Sequence, residues 1–427
     1  MATESSSKSL TVGRPGRPVL YAMLLFMQCA RSMFIVLISW FTLQITGKTT
    51  AVGGVLICWQ VLALTIGPLV GPHLDRFQRR LLFGLGETTH AAAVLLLAVA
   101  ARTMVPESVP LLILYGCACL ASFGSLLSYP SSQALLQRVG ANRLTRTVAF
   151  SIFYAQVGNI AGAALAGLCL PIVGIAGGFS LCAMSSLIAI LFTLILAVDE
   201  EGIRRTRQGR HAKAVIVGLA RIVRDPRLRI AACALMLAYA SAHASNALLA
   251  GFARYDLKLP ANLYGWLAAM YSGGGLLGSF AFAGWFSKIE ARIVISVGLV
   301  AISLATAMLS TAQSLLSAVV WQGLIGLSFM MVRAAGDVMV LRGLSNRMVG
   351  RVRSNIEAGI GLVAIIVYLI ASLSEAAPRQ TFLAIGCLFG LATCGILWMQ
   401  RRQTYSAGRC TIMPRKLAGK EGPGGLR

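Results

Sequence analysis

A charged side chain that could do chemistry lies deep inside a long apolar stretch near the start of this sequence. Arg31 is about fourteen residues from Arg17 and about seventeen from Lys48, the nearest other basic residues. At a rise of about 1.5 Å per residue, a helical Arg31 would lie near the middle of a bilayer. A fixed cation at that depth suits a substrate with a carboxylate, hydroxamate or similar anionic oxygen group. Pairing with a buried acid from another helix is the alternative, and both interpretations stay open.

Acidic side chains in similar stretches could carry protons. Glu87 lies about seven residues past Arg80, which is about 10 Å along a helix, and His90 follows on the same face. At this depth Glu87 and His90 could load and release a proton, or serve only as hydrogen-bonded packing residues. Asp337, four residues after Arg333, is the third predicted proton-coupling residue. An ion pair between Asp337 and Arg333 at the membrane surface is the alternative.

Uncharged polar side chains on the same presumed core-lining helices complete the predicted substrate site. Together with Arg31, this site comprises Gln28, Tyr154, Gln156, Asn159 and Asn246, and Tyr129 and Gln133 add further hydrogen-bonding groups. The ten cysteines predict neither a disulfide framework nor a metal site, because nine of them lie inside apolar runs and none has metal-ligand spacing. No metal and no cofactor is expected.

Composition indicates which elements must position these side chains. Of the 427 residues, 57% are hydrophobic and 12% are charged, about half the charged fraction that is usual for a soluble domain. The apolar residues form runs of bilayer-spanning length, which predict an all-α integral membrane protein with about twelve transmembrane helices. The runs are 19–45, 51–73, 81–101, 109–135, 145–170, 172–198, 230–252, 262–286, 292–311, 314–340, 354–374 and 380–400.

Basic residues separate these runs and predict their orientation. The net charge is +24, yet the charges lie in short clusters between apolar runs, which is not the pattern of a nucleic-acid-binding surface. Of the 38 Lys and Arg residues, 31 fall in the two tails and the even-numbered loops, and five fall in the opposite loops. Because cytoplasmic loops carry the basic excess, both termini are predicted to be cytoplasmic. The lipid bilayer is an expected partner, and nucleic acid is not.

One long polar segment divides the runs into six and six. The predicted organisation is a cytoplasmic tail at 1–18, a six-helix bundle at 19–198, a basic cytoplasmic linker at 199–229, a second six-helix bundle at 230–400 and a basic cytoplasmic tail at 401–427. Within the linker, apolar residues alternate with basic ones around Val215 to Val223. This pattern is typical of a short amphipathic helix at a membrane surface, and a linker without a helix is the alternative.

The loop between the second and third runs resembles a family signature. It reads Gly71-Pro72-His73-Leu74-Asp75-Arg76-Phe77-Gln78-Arg79-Arg80. This is similar to the Gly-x-x-x-Asp-Arg-x-Gly-Arg-Arg signature of the major facilitator superfamily, with Gln78 in place of one glycine. The resemblance implies two six-helix bundles that alternate about a central cavity. It also implies a conformational latch made of Gly71, Asp75, Arg76, Arg79 and Arg80, for which an ordinary basic loop is the alternative.

Two further stretches resemble branches of that superfamily. Val157–Gly162 with Gly167 is similar to the glycine-rich stretch of the antiporter branch, although small residues four apart also serve close helix packing. Gly218–Arg229 and Leu263–Trp266 resemble the macrolide-efflux and enterobactin-exporter subgroup. The resemblance extends over about 19–400.

These resemblances imply a monomeric secondary active transporter in a bacterial inner membrane. The predicted function is export of an amphipathic small molecule, a siderophore or drug-like compound, driven by protons. Import of an iron chelate or small organic acid by the same fold is the alternative. A membrane-embedded enzyme or scaffold is a third class, but the sequence has no clustered nucleophiles, metal set, phosphate loop or sizeable soluble domain. No enzymatic activity is expected.

Overall fold

The structure, a computed structural model, describes residues 16–74, 77–104, 109–140, 144–196, 211–342, 344, 346–373 and 377–412. These residues are almost entirely helical, and no β-strand occurs among them. The helices are α1 (Gly16–Thr46), α2 (Thr49–Leu74), α3 (Arg79–Thr103), α4 (Leu111–Gly140), α5 (Leu144–Ile195), α6 (His211–Arg224), α7 (Pro226–Gly251), α8 (Ala261–Gly284), α9 (Ala291–Leu309), α10 (Leu315–Arg342), α11 (Asn346–Leu373) and α12 (Pro378–Ile412). A π-helical turn, Phe252–Asp256, follows α7 directly.

Helices that can cross a membrane account for nearly all of this length. Ten of the described helices are long and apolar enough to do so. α8, with 24 residues, also has the necessary length, and α5, with 52 residues, can cross twice. This gives twelve spans and confirms the predicted number. Large apolar side chains such as Leu112, Ile172 and Leu391 are exposed on the outside of the bundle, as lipid-facing residues are.

α5 reverses direction at Gly174 and so forms two antiparallel arms. Gly174 has φ 69° and ψ −177°, a backbone conformation that glycine adopts without the strain that a side chain would cause. The first arm runs parallel to α1 and the second antiparallel to it, through contacts of Gly158 with Leu25 and Gly162 with Cys29, then of Gly178 with Leu37 and Ser185 with Phe26. The sequence predicts a break between the runs 145–170 and 172–198, and the structure has it three residues after Pro171, because the helix continues to the first glycine that follows the proline.

Two helical bundles form the two halves of the molecule. In the first half, α1 packs on α5, and α3 lies against α4 and α5; in the second, α10 packs on α7, α8 and α9, and α12 packs on α9. The halves meet where α5 contacts α8 and where α2 contacts α11. At the first contact, a Cβ on Gly167 would lie 2.8 Å from the Cα of Gly265. The glycine row of α5 therefore serves helix packing, with Gly158 and Gly162 against α1 and Gly167 against the other half.

The boundaries of two helices differ from the predicted domain limits. Asp225 caps α7 by accepting a hydrogen bond from the Arg227 amide at 3.0 Å, and Pro226 occupies its first turn, so α7 begins four residues before position 230. α12 continues to Ile412, twelve residues into the segment predicted as a tail. The apolar pattern ends near position 400, but no proline interrupts the chain until Pro414, so the helix itself can continue.

At one end of the bundle, side chains of the two halves bind each other. We call the end with residues 47–49 and 252–260 the closed end, and the opposite end, with α6 and the start of α11, the basic end. At the closed end Tyr255 donates a 2.6 Å hydrogen bond to the Gly47 carbonyl oxygen, and the Arg254 guanidinium lies 5.9 Å from the centre of the Trp40 ring. The Trp40 ring in turn stacks on Tyr264 at 5.4 Å. These contacts join the two halves.

Candidate functional site

A cavity of about 640 Å³ lies between the two halves. Its wall comes from α1, α2, α4 and α5 on one side and from α7, α8, α10 and α11 on the other. It extends from Leu249 and Tyr264, near the closed end, to Tyr129 and Glu357, toward the basic end. Aromatic and amide side chains dominate its polar lining, namely Trp59, Tyr129, Tyr239, Tyr264 and Tyr271 with Gln28, Asn159, Asn246 and Gln322. Such a wall suits an amphipathic molecule of drug-like size.

Arg31 is part of this wall and is also bound to an acid from another helix. Its Nη2 atom lies 2.9 Å from Glu87 Oε1 on α3 and donates to Ser128 Oγ on α4 at 2.5 Å. Nη1 donates to the Met27 carbonyl oxygen at 3.3 Å. The sequence analysis left two roles for Arg31, contact with a substrate and pairing with a buried acid. In the structure Arg31 lines the cavity and also binds a buried carboxylate, so its position is compatible with both roles.

Glu87 and His90 lie behind Arg31 and are completely buried. His90 Nδ1 shares a 3.0 Å hydrogen bond with Ser186 Oγ on the second arm of α5, and the His90 ring packs edge-on against Phe34 at 5.5 Å. Within the described residues, Glu87 Oε2 and His90 Nε2 have no hydrogen-bond partner. The cluster thus joins α1, α3, α4 and α5, and it retains unused polar atoms next to the cavity wall.

A close approach of α3 and α4 brings Glu87 and Ser128 to the same guanidinium. A Cβ on Gly86 would lie 2.5 Å from the Gly124 carbonyl oxygen, and a Cβ on Gly124 would lie equally close to the Gly86 oxygen. The two backbones therefore touch. Glu87, the residue after Gly86, and Ser128, one turn after Gly124, carry the side chains that bind Arg31. Ser128 was not predicted as a site residue, because a serine inside an apolar run gives no signal by itself.

A second cluster of charges lies in the other half, toward the basic end. Arg353 on α11 is 3.8 Å from Asp337 on α10 and 3.3 Å from Glu357, one turn further along α11. The partner expected for Asp337 was Arg333. The Arg333 guanidinium instead lies 5.8 Å from the centre of the Tyr239 ring, and no carboxylate is within 4 Å of it in the part of the chain that the structure describes. Arg333 lies over the Tyr239 ring of α7 and not beside Asp337, and a cation is attracted to the face of such a ring.

Four of the six predicted substrate residues line the cavity, and two do not. Gln28, Arg31, Asn159 and Asn246 belong to the wall, whereas Tyr154 and Gln156 do not. Tyr154 stacks on Tyr21 at 5.2 Å. Gln156 Oε1 accepts a 3.1 Å hydrogen bond from Asn159 and so orients a wall residue from behind. Tyr239 and Tyr271 are wall residues that the sequence analysis did not assign, although a tyrosine in the middle of a span is a usable signal.

The predicted latch can be described only in part. The side chains of Gly71, Asp75 and Arg76 lie outside the residues whose side chains are described, and Arg79 and Arg80 begin α3. Arg80 donates to the carbonyl oxygens of Thr193 at 3.2 Å and Leu194 at 2.7 Å. It therefore binds the last carbonyls of α5 and ties α3 to that helix end. The latch itself stays a prediction. Among the described residues, no group of three His, Cys, Asp or Glu side chains could hold a metal ion.

Comparisons with known proteins agree with this architecture. The family model described as Major Facilitator Superfamily matches residues 20–246. The solved structure of the nucleoside transporter NupG has a TM-score of 0.72 and 14% sequence identity, covering 90% of this chain and 99% of that one. A mutant form of NupG gives 0.74 with the same identity and coverage. A bacterial homolog of the human lysosomal transporter Spinster, inward-facing and unoccupied, gives 0.69 at 13% identity, covering 91% of this chain and 98% of its own. No curated protein matches the sequence.

Proposed function

The chain belongs to the major facilitator superfamily, and we propose that it is a proton-coupled secondary transporter that moves an amphipathic small molecule by alternating access. One observation carries this proposal, namely that the cavity between the halves has in its wall an arginine bound to a buried carboxylate. A transporter needs a substrate site that both halves share. Proton coupling needs a titratable group whose charge changes the affinity of that site for the substrate.

The Arg31–Glu87 pair supplies that coupling in our proposal. With Glu87 ionised, the two charges neutralise each other and hold α1, α3 and α4 together. When Glu87 takes up a proton, Arg31 loses its counter-charge and becomes a free cation in the wall. An uncompensated charge is costly away from water. Protonation of Glu87 must therefore change which other group, or which substrate, binds the Arg31 guanidinium. His90 and Ser186 form the supporting contact behind the pair, and Asp337 is the alternative proton site.

Export of a siderophore or drug-like compound remains our proposal for the direction of transport. It is supported by the resemblance of Gly218–Arg229 and Leu263–Trp266 to the macrolide-efflux and enterobactin-exporter subgroup. A monomer in a bacterial inner membrane is proposed from the same resemblance, and both termini are placed in the cytoplasm because of the excess of basic residues in alternate loops. The closed end then faces outward, and the cavity is oriented to receive its substrate from the cytoplasm.

Import of a small anion together with a proton is a second candidate, and one contact favours it. Arg31 Nη2 binds Glu87 at 2.9 Å, so an anionic substrate that reached Arg31 would compete with Glu87 for the same guanidinium. A proton on Glu87 removes this competitor, and the anion and the proton would then load together. A neutral or cationic substrate gains nothing from that protonation, and exchange for protons fits such a substrate better.

Reconstituted vesicles with an imposed pH gradient test both versions. The compounds are a hydroxamate siderophore, a macrolide and a small carboxylic acid, and the readout is their accumulation together with internal pH. An uncoupler should abolish accumulation. Arg31→Gln should abolish it too, whereas Arg146→Gln, which alters an exposed arginine on α5, should not. Accumulation that persists with the uncoupler, or with Arg31→Gln, would overturn the proposal, and the direction of proton movement separates export by exchange from import with a proton.

A further inference from the structure

α6 is anchored to the second half through a narrow buried face. A Cβ on Gly218 would lie 2.8 Å from the Arg351 carbonyl oxygen, so the helix rests directly on the α11 backbone. One turn later Ile222 is buried and packs in a cluster that includes Val352 and Ile356 of α11. Between Ile216 and Arg224, this is the face of α6 that is buried against the rest of the described chain.

Between Ile216 and Arg224, most of the remaining surface of α6 is exposed, and it carries an apolar row and a basic row. Ile216, Leu219 and Val223 are spaced three and four residues apart, so they share one side of the helix, and all three are more than half exposed. Arg221 and Arg224 lie on the adjoining side, and both are exposed. Exposed apolar side chains of this size are unfavourable in water, and a basic row beside them is the pattern of a helix that lies in a membrane interface.

The position of α6 along the chain holds it at the bilayer surface. It ends at Arg224, and the membrane-crossing helix α7 begins two residues later at Pro226. Arg227, in the first turn of α7, is also exposed and extends the basic row. Asp225, between the two helices, is the only acidic residue from 211 to 229, against five basic ones. The local charge is therefore strongly positive where phospholipid headgroups must lie.

We propose that α6 is a binding surface for anionic phospholipid. Ile216, Leu219 and Val223 enter the interface between headgroups and acyl chains, and Arg224 and Arg227 bind the lipid phosphates. Since α6 rests on Arg351, two residues before Arg353 of the second charge cluster, bound lipid would also stabilise the packing of α11 at the basic end. Neither the substrate nor the coupling ion enters this proposal.

Amide hydrogen exchange across residues 216–224 tests it on the full-length protein in nanodiscs. The discs contain phosphatidylcholine alone or an equal mixture with phosphatidylglycerol. We expect slower exchange of α6 in the mixture, and we expect high salt to reverse the effect, because exposed charges are screened. Arg224→Gln with Arg227→Gln should weaken the apparent affinity for phosphatidylglycerol roughly thirtyfold, on the basis of the usual contribution of two basic residues near an anionic surface.

The matched control removes two charges from the same end of the molecule. Arg401→Gln with Arg402→Gln changes exposed arginines on α12, and it should leave the exchange of α6 unchanged. Ile216→Ser with Leu219→Ser should reduce the protection while leaving its salt dependence in place. Equal exchange in the two lipid compositions would overturn the proposal, and so would equal behaviour of the two arginine pairs.

Discussion

Each half of the molecule contains an arginine bound to carboxylate, but the surroundings of the two contacts differ. In the first half Arg31 and Glu87 are 2.9 Å apart, with side chains 12% and 0% exposed. In the second half Arg353 is 3.8 Å from Asp337 and 3.3 Å from Glu357, whose side chains are 34% and 65% exposed. A buried pair cannot lose one partner without stranding a charge, whereas an exposed pair contributes about 0–1 kcal/mol.

This difference separates residues that the sequence treats alike. Glu87, His90 and Asp337 were all predicted to couple protons. A proton on Glu87 removes the counter-charge of a cavity-wall arginine whose side chain is only 12% exposed, whereas a proton on Asp337 acts in a cluster that water and ions can compensate. The burial contrast therefore favours Glu87 as the coupling residue, with His90 supporting it. The following variants test the contrast, in order of decreasing expected effect.

The largest effect is expected from removing one member of the buried pair. Glu87→Ala leaves Arg31 without a counter-charge in the membrane interior, and the free energy of unfolding should fall by about 3–5 kcal/mol. Denaturation in detergent micelles measures this change. The double variant Arg31→Met with Glu87→Leu should recover most of the lost stability without recovering transport. If Glu87→Ala were as stable as the parent, Glu87 would not be the counter-charge of a buried Arg31.

An intermediate effect is expected from the helix contact that brings Glu87 and Ser128 to the same guanidinium. Gly124→Ala places a Cβ 2.5 Å from the Gly86 carbonyl oxygen, so α3 and α4 must separate, and a cost of about 1–3 kcal/mol is expected. Gly116 lies on the same helix, and a Cβ there meets nothing within 4 Å. Gly116→Ala should therefore be neutral or slightly stabilising. Equal stabilities of the two alanine variants would contradict the close approach.

The smallest effect is expected in the exposed cluster. Asp337→Asn should change the free energy of unfolding by less than about 1 kcal/mol, and the difference should shrink as ionic strength rises. The same detergent assay at low and high salt measures it. If Asp337→Asn lowered the free energy of unfolding as much as Glu87→Ala, the two clusters would not differ as described, and Asp337 would become the leading candidate for the proton site.

The sequence predicts the number of spans well, because hydrophobic length is a local property. It places the turn of α5 less well, since Pro171 suggests a junction while the actual reversal needs the positive φ of Gly174. The end of α12 at Ile412 is missed for a related reason, because hydropathy reports where the apolar surface stops and a helix can continue beyond it.

The site is predictable residue by residue but not as an arrangement. The depths of Arg31 and Glu87 follow from counting residues, and both depths mark the side chains as unusual. That they bind each other depends on how α1 and α3 both pack on α5, and no local pattern specifies that relative position. Arg333 shows the opposite limit, because its spacing from Asp337 permits an ion pair, yet it lies over the Tyr239 ring of another helix.

The most direct test is proton movement by Glu87→Gln in reconstituted vesicles, measured with an internal pH indicator while substrate is taken up. Glutamine keeps the shape of the side chain and an acceptor oxygen for Arg31, and it removes the carboxylate that could take up a proton. We predict that this variant still exchanges substrate down its gradient, moves no protons and no longer accumulates substrate against a gradient, while Asp337→Asn behaves like the parent. Proton movement by Glu87→Gln equal to that of the parent would contradict the account.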